Sequence, residues 1–336
     1  MRATITAIAH CVPPEVIPNA AFAHLGVSDE WIYERTGIRE RRILRGGGTS
    51  DMVVPAAQAC LERAGRSPAE IDCVLCATLT PDRITPPMSC TVQHRLGIEK
   101  AWGFDISGAC SGFAMALVTA AKFVETGTAR RVLLCAGETM TRVRNMKDPK
   151  TAPLFGDGAA VVLVEASTDD FGVIDQVLRT DAVDESLLMI VGGGSRKPAS
   201  AETVANNEHV LLMEGRAVYK AAVPGMIGVV TELLERNRMQ ITDVDWVVPH
   251  QANARILEAV ADRLQCPMSK VMMNIDRFGN TSAATIPICL SEWYEAGKLR
   301  RGDKVMLCSF GAGYILAGVY LIWGIDQFDS PKIVKA

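Results

Sequence analysis

The feature that most constrains this chain is a faint repeat of itself at an offset of 173 residues. Leu61-Glu62-Arg63, followed by Glu70-Ile71-Asp72, lines up with Leu234-Glu235-Arg236, followed by Asp243-Val244-Asp245. Each pair closes an amphipathic helical pattern and leads into an apolar strand. The same offset sets Arg131-Val132-Leu133-Leu134-Cys135 on Lys304-Val305-Met306-Leu307-Cys308, and Ala109-Cys110 on Ser282-Ala283. One register serving three separated segments argues for a tandem duplication, which sets the architecture before any motif is read. At 336 residues a single core is also near its practical limit, so two fused halves, 1–172 and 173–336, suit the length.

Helical patterns over 52–63 and 111–123 alternate with apolar runs at 74–78, 132–136 and 244–249. Such alternation predicts an α/β fold. The stretch from Ser111 is apolar nearly all round, which predicts a helix buried on every side, and its counterpart is 282–290. Two buried helices between two duplicated sheets make a layered sandwich, helices in the middle, with a pseudo-twofold relating the halves. Gly46-Gly47-Gly48 and Gly192-Gly193-Gly194-Ser195 read as loops, the first leading into a helix capped by Thr49 or Ser50. Neither has the spacing of a nucleotide-phosphate loop.

Charge and composition exclude several function classes. With 35 Lys and Arg against 38 Asp and Glu there is no global field for nucleic acid or an anionic membrane, so an acidic partner must meet a local basic patch. The first 19 residues lack a signal-peptide core and are broken by Pro13, Pro14 and Pro18. The longest apolar run, 313–324, has 12 residues against the roughly 20 needed to span a bilayer. Neither export nor a membrane span is expected. Ten cysteines scattered among apolar neighbours suit buried thiols in a reducing cytoplasm. Cys73 and Cys76 form a CxxC, but in a strand positions three apart face opposite sides, so no metal or redox role is assigned to them. No metal site is expected elsewhere.

Cys110 differs from the other cysteines. It sits where the apolar Phe104-Asp105-Ile106 turns through Ser107-Gly108-Ala109 into the buried helix, among small neighbours. The positive end of the helix dipole favours thiolate there, and small flanks admit a substrate carbonyl. By local sequence alone a packed structural cysteine explains it equally well. His250 follows the apolar Trp246-Val247-Val248-Pro249, where a strand end can point it into a crevice. Asn280 lies in a glycine-assisted turn, Phe278-Gly279-Asn280-Thr281-Ser282, the counterpart of the Cys110 turn. Under the repeat, the three converge on one site.

The segments that carry these residues resemble β-ketoacyl-acyl-carrier-protein synthase III of the thiolase-like superfamily. The likeness runs through Asp29-Glu30-Trp31-Ile32, Arg35-Thr36-Gly37-Ile38-Arg39, Gly108-Ala109-Cys110-Ser111-Gly112 and Phe155-Gly156-Asp157-Gly158. It continues through Pro249-His250-Gln251-Ala252-Asn253, Gly279-Asn280-Thr281-Ser282-Ala283-Ala284 and Phe310-Gly311-Ala312-Gly313. The resemblance implies a thiolase-like five-layered αβαβα sandwich and a decarboxylative Claisen condensation. Cys110 would take an acyl group from acyl-CoA. Malonyl-acyl-carrier protein would then lose carbon dioxide and attack the thioester, initiating fatty acid synthesis with no cofactor. His250 and Asn280 would hold the enolate oxygen, and the backbone N–H groups of Cys110 and Ala312 the thioester oxyanion.

The resemblance also places Trp31 against the adenine, Arg35 at the nucleotide phosphates, and Asn253 and Gly215 along the coenzyme. Lys220 and Arg255 would belong to a basic patch for the acidic carrier protein. The family often has an arginine where Pro149 stands, an asparagine where Arg216 stands and a glycine where Ala312 stands. At Thr85, relatives that prefer acetyl primers tend to carry a bulky phenylalanine reaching across a homodimer; threonine there implies a longer primer. A thiolase would need a second cysteine near Phe310-Gly311-Ala312-Gly313, and a hydroxymethylglutaryl-CoA synthase a glutamate near 77–83. Neither is present. A relative serving specialised metabolism, with an unusual starter or a quinolone or pyrone product, would carry the same trio. The order Cys, His, Asn also fits a papain-like thioester hydrolase, and a non-catalytic scaffold is the remaining class.

Overall fold

The computed structural model describes residues 2–167, 169–181 and 185–326. In chain order the first part contains β1 (Arg2–Cys11), β2 (Val16–Pro18), α1 (Asp29–Thr36), β3 (Glu40–Arg42), α2 (Ser50–Ala64), β4 (Cys73–Ala77), α3 (Met88–Leu96), β5 (Trp102–Ile106), α4 (Gly112–Glu125), β6 (Arg131–Thr139) and β7 (Asp157–Ser167). The second contains β8 (Gly172–Thr180), β9 (Leu188–Ile190), α5 (Ala201–Ala205), β10 (Leu211–Met213), α6 (Gly215–Arg236), β11 (Trp246–Pro249) and α7 (Ala254–Arg263). It ends with α8 (Ile275–Phe278), α9 (Thr285–Glu295), β12 (Lys304–Gly311) and β13 (Ile315–Ile322).

Two sheets form the frame, with orders β1-β7-β6-β4-β5 and β8-β13-β12-β11. Strand sense repeats as well. β1–β7 and β7–β6 are antiparallel and β6–β4 parallel, and so are β8–β13, β13–β12 and β12–β11 in turn. β5 continues the first sheet in parallel, and where its counterpart would stand the second sheet has a single parallel bridge, Val247 to Val271. The 173-residue repeat is therefore a repeat of strand order and sense.

Strand alternation sorts the side chains into layers. Leu75, Val132 and Leu134 of the first sheet and Val305, Leu307 and Val319 of the second meet Phe113, Leu117, Ile286 and Leu290 of α4 and α9 in one central core. The opposite faces carry Val74, Cys76 and Leu133 toward α2 and α3, and Val247, Met306 and Leu316 toward α6 and α7. The result is the αβαβα sandwich, with α4 and α9 as the middle layer. Cys73 and Cys76 fall in different cores, as strand geometry requires.

Three expectations need adjustment. Thr49 stands at the N-cap of α2, but its hydroxyl donates to the Thr80 carbonyl, and the free N–H groups of Gly48 and Ser50 go to the carboxylates of Asp51 and Asp82 instead. A carboxylate is the stronger acceptor at a helix N-terminus. The last strand before His250 starts at Trp246, because Ile241–Asp243 form a 3-10 turn capped by Val244. One helix, α6, is long and apolar enough to span a bilayer by length and composition, but its Val223, Met226, Val229, Val230 and Leu233 pack on the second sheet.

Candidate active site

Two turns at the inner ends of the sheets build the site. After β5 the chain passes Gly108 and a 3-10 turn, Ala109–Ser111, into α4; after α8 it passes a 3-10 turn, Ser282–Ala284, into α9. Gly311, at the end of β12, presses against the first turn. A Cβ on it would sit 3.0 Å from the Gly108 oxygen and 3.1 Å from the Cys110 nitrogen, so glycine lets this strand end approach the Cys110 backbone without pushing it aside. The left-handed conformations beyond it fall on Gly313 (φ 78°) and Tyr314 (φ 55°), which leaves Ala312 in ordinary backbone space and accommodates its Cβ.

Cys110, His250, Asn280 and Ala312 line one cavity of about 130 Å³, whose wall is otherwise largely apolar, including Leu79, Met140, Phe155 and Phe310. The Cys110 thiol donates to Ser282 Oγ at 3.7 Å. Burial pushes the thiol up to about 12. Desolvation in the closed pocket outweighs the start of α4, so the resting group is the protonated thiol.

His250 is 2% exposed at the end of β11, and its backbone N–H donates to Cys308 O. Its Nδ1 lies 2.7 Å from Thr285 Oγ1, and that hydroxyl is also 2.9 Å from Ser282 O. Thr285 has one proton to give. Given to Ser282 O, it leaves Nδ1 as the donor and Nε2 bare; given to Nδ1, it makes Nε2 the N–H donor. Burial holds His250 down to about 3, so the ring is neutral in either arrangement.

Asn280 is pinned by a backbone crossing. Its N–H donates to Leu154 O, its carbonyl accepts from Gly156 N, and Phe155 bridges to it in parallel. Gly279 (φ 63°) and Gly156 leave room for the crossing. Asn280 Oδ1 accepts the Ser282 N–H at 2.8 Å, which sets the amide so that Nδ2 carries its two donors away from that bond. The Asp157 of the same segment serves structure: it accepts from Leu44 N, Thr141 N and Thr141 Oγ1.

Other expected residues lie around the rim or beyond it. Gly215 and Asn253 line the cavity. The Asn253 amide is already engaged, with Oδ1 capping α7 through Arg255 N and Nδ2 donating to Arg35 O. Trp31 and Arg35 stand outside the cavity lining, with the Arg35 guanidinium 4.2 Å over the Trp31 ring. Lys220 on α6 and Arg255 on α7 are both exposed, next to the rim residues Tyr219 and Asn253. Arg255 Nε also donates to Glu34 O. Thr85 is exposed on the loop before α3 and does not line this cavity. Among the described residues no three His, Cys, Asp or Glu side chains converge as a metal site would need.

Sequence reasoning missed Ser282, Thr285 and Glu138. Glu138 is fully buried near the end of β6, where it accepts from the N–H groups of Leu79 and Thr80 and the hydroxyls of Thr78 and Thr80. The available signal was a lone carboxylate closing an apolar strand run, 132–136.

Comparison with known proteins places this geometry. A model of the C-terminal part of 3-oxoacyl-[acyl-carrier-protein] synthase III matches residues 234–323, and a model of the same family matches 104–182. The β-ketoacyl-[acyl-carrier-protein] synthase III of Chlorobaculum tepidum is 46% identical over 329 residues, covering 96% of this chain and all of that one. The crystal structure of 3-oxoacyl-[acyl-carrier-protein] synthase III from Aquifex aeolicus superposes with a TM-score of 0.89 at 37% identity, over 96% of this chain and 100% of that one. The priming β-ketosynthase of the R1128 polyketide pathway gives 0.88 at 34% identity, over 96% of each chain. The matched segments contain Cys110, His250 and Asn280, and the relatives align end to end. On that agreement of sequence, fold and site, the chain belongs to the 3-oxoacyl-[acyl-carrier-protein] synthase III family.

Proposed function

We propose that this protein is a β-ketoacyl-acyl-carrier-protein synthase III that condenses an acyl-CoA primer with malonyl-acyl-carrier protein through an acyl-Cys110 intermediate, initiating fatty acid synthesis. The observation that carries the reading is the cavity shared by the Cys110 thiol, His250 and Asn280, with the thiol at the start of a buried helix. Cys110 is the nucleophile. The backbone N–H groups of Cys110 and Ala312 are the donors assigned to the thioester oxyanion; Asn280 Nδ2 and, with Thr285 donating to Nδ1, His250 Nε2–H are those assigned to the enolate oxygen left as carbon dioxide departs. Decarboxylation itself produces the carbanion, so no base is needed to form it. The test is intact-protein mass spectrometry of wild type and Cys110→Ala with a panel of acyl-CoAs, followed by malonyl-acyl-carrier protein. Loading on Cys110 and release as a ketoacyl product two carbons longer is the expected result; release by water alone would restore the hydrolase reading.

The finer assignments rest on placement. Lys220 and Arg255 beside the rim, with exposed Arg216, form the basic patch for the carrier protein, and Trp31 with Arg35 the coenzyme platform outside it. A homodimer is supported by β5, an edge strand with Trp102 and Phe104 41% and 36% exposed. Sedimentation at half the expected dimer mass would refute it. Since Thr85 lies outside its own cavity, its effect on primer length acts through the second copy, and exclusive use of acetyl-CoA would overturn the longer-primer reading. We also assign the halves 1–172 and 173–336 and a cytoplasmic location, the latter on eight buried free thiols. The R1128 priming synthase favours a second reading, a specialised starter, which the same acyl-CoA panel distinguishes.

A further inference from the structure

The first sheet ends unevenly beside the cavity. β4 and β6 pair in parallel as far as Ala77 and Ala136, and beyond them β6 keeps its other neighbour, with Glu138 opposite Gly158 and Thr139 opposite Asp157. β4 instead runs out into Thr78, Leu79 and Thr80, whose N–H groups need acceptors next to the buried strand ends. The Thr78 N–H goes to Ile106 O on β5. For Leu79 and Thr80 a side chain takes the place of a strand: the fully enclosed Glu138 carboxylate accepts from Leu79 N at 3.2 Å and from Thr80 N at 3.0 Å. It also accepts from the hydroxyls of Thr78 and Thr80. Among the described residues the Leu79 N–H donates to Glu138 alone.

All of these donors belong to residues 78–80, so what the carboxylate secures is that segment. A buried carboxylate is costly unless its oxygens are hydrogen-bonded, and donors from three consecutive residues meet that need. Two further bonds tie the same segment: Thr49 Oγ1 donates to Thr80 O, and Thr139 N donates to Thr80 Oγ1. Leu79, in the middle, lines the cavity, whereas Thr78, Thr80 and Glu138 do not. Its side chain packs with Met140, Leu154 and Phe155 and shares the cavity with Cys110. The rim residues Gly215 and Asn253 come from the other half, at the starts of α6 and α7.

We propose that Glu138 is a positioning residue for primer selection: by holding residues 78–80 it fixes the Leu79 side chain as a wall against the acyl group borne on Cys110. The inference rests on Cys110 as the nucleophile. An apolar wall discriminates between chain lengths only if it cannot give way, and a side chain is held to that tolerance by the hydrogen bonds behind it. Without the carboxylate, the Leu79 N–H loses its partner and the segment shifts, opening the wall to a longer chain. Glu138 itself touches no reacting atom, so its effect reaches the acyl group only through Leu79.

The experiment measures single-turnover acyl transfer to Cys110 from straight-chain acyl-CoAs of increasing length, by mass spectrometry, for wild type, Leu79→Ala and Glu138→Ala. The readout is the ratio of rates between the best wild-type primer and the one two carbons longer. Both variants are expected to lower that ratio by about tenfold, the scale on which an apolar pocket distinguishes chains that differ by a methylene group. Should Glu138→Ala not fold, Thr80→Val and Thr80→Ser decide: Val, which removes one bond to Glu138, lowers the ratio, and Ser, which keeps it, restores the wild-type value. A folded Glu138→Ala, or a Thr80→Val in its place, that slows every chain length by the same factor would overturn the proposal and leave Glu138 to the fold. A wild type indifferent to chain length, or a Leu79→Ala with the wild-type ratio, would overturn it as well. Wild type that loads no acyl group on Cys110 would instead overturn the nucleophile assignment on which it rests.

Discussion

Ala109 and Ser282 stand 173 residues apart and hold the same left-handed backbone, φ 45° and 51°. Neither is glycine, so each turn bears a cost on the order of 1 kcal/mol that its surroundings must hold in place. The first turn delivers the Cys110 thiol and the second delivers the Ser282 hydroxyl that meets it. The repeat has been kept as shape at these turns and divided as chemistry, a thiol in one half and a hydroxyl that meets it in the other.

Asn280→Ala and His250→Ala should separate the two half-reactions. Each removes a donor proposed for the enolate oxygen, and such donors are typically worth about 10²- to 10³-fold. Condensation with malonyl-acyl-carrier protein is expected to fall by that factor, while acyl loading on Cys110 falls far less. Quenched-flow product analysis beside mass-spectrometric loading measures both. Equal loss in the two steps would contradict the assignment.

Thr285→Val keeps the shape and removes the one hydrogen-bond partner of His250 Nδ1 among the described residues. One hydrogen bond of about 1 kcal/mol corresponds to a loss of up to about tenfold in condensation, with Thr285→Ser restoring it. Steady-state kcat with saturating primer measures the effect. A Val variant as fast as wild type would show that packing alone orients the ring.

Stability should carry opposing signatures of two buried groups. His250 is lowered from 6.5 to about 3, so its contribution is complete above 6.5 and is lost as pH falls toward 3. Glu138 is raised from 4.5 to about 7, so its contribution is complete below 4.5 and is lost as pH rises through 7. Between 4.5 and 6.5 the slopes oppose. Glu138→Gln should gain on wild type as pH rises over 4.5 to 7, by on the order of 3 kcal/mol, at about 1.36 kcal/mol per unit. Urea unfolding at a series of pH values checks the sign; a variant that tracks wild type throughout would refute it.

Arg35→Ala removes the guanidinium stacked on Trp31 without touching the Asn253 bond, which uses the Arg35 backbone carbonyl. A charge-assisted phosphate contact of about 1.5 to 3 kcal/mol corresponds to roughly 10- to 100-fold in KM for acyl-CoA. A truncated thioester lacking the nucleotide should be used equally well by variant and wild type. If both substrates lose equally, Arg35 serves the fold.

Much of this protein was determined by its sequence alone. The 173-residue register implied two like sheets, apolar alternation implied their layers, and the all-round apolar stretch from Ser111 implied a central helix, because period and polarity are local properties. The motifs around Cys110, His250 and Asn280 named the trio. Only the tertiary structure decided how those groups are held and charged. The thiol pushed to about 12, the single Thr285 proton shared between His250 and Ser282, and the Glu138 carboxylate held by Leu79 and Thr80 depend on burial and on contacts between residues far apart in the chain. Desolvation and hydrogen-bond direction are properties of an enclosed space, and no linear pattern records which side chains will share one.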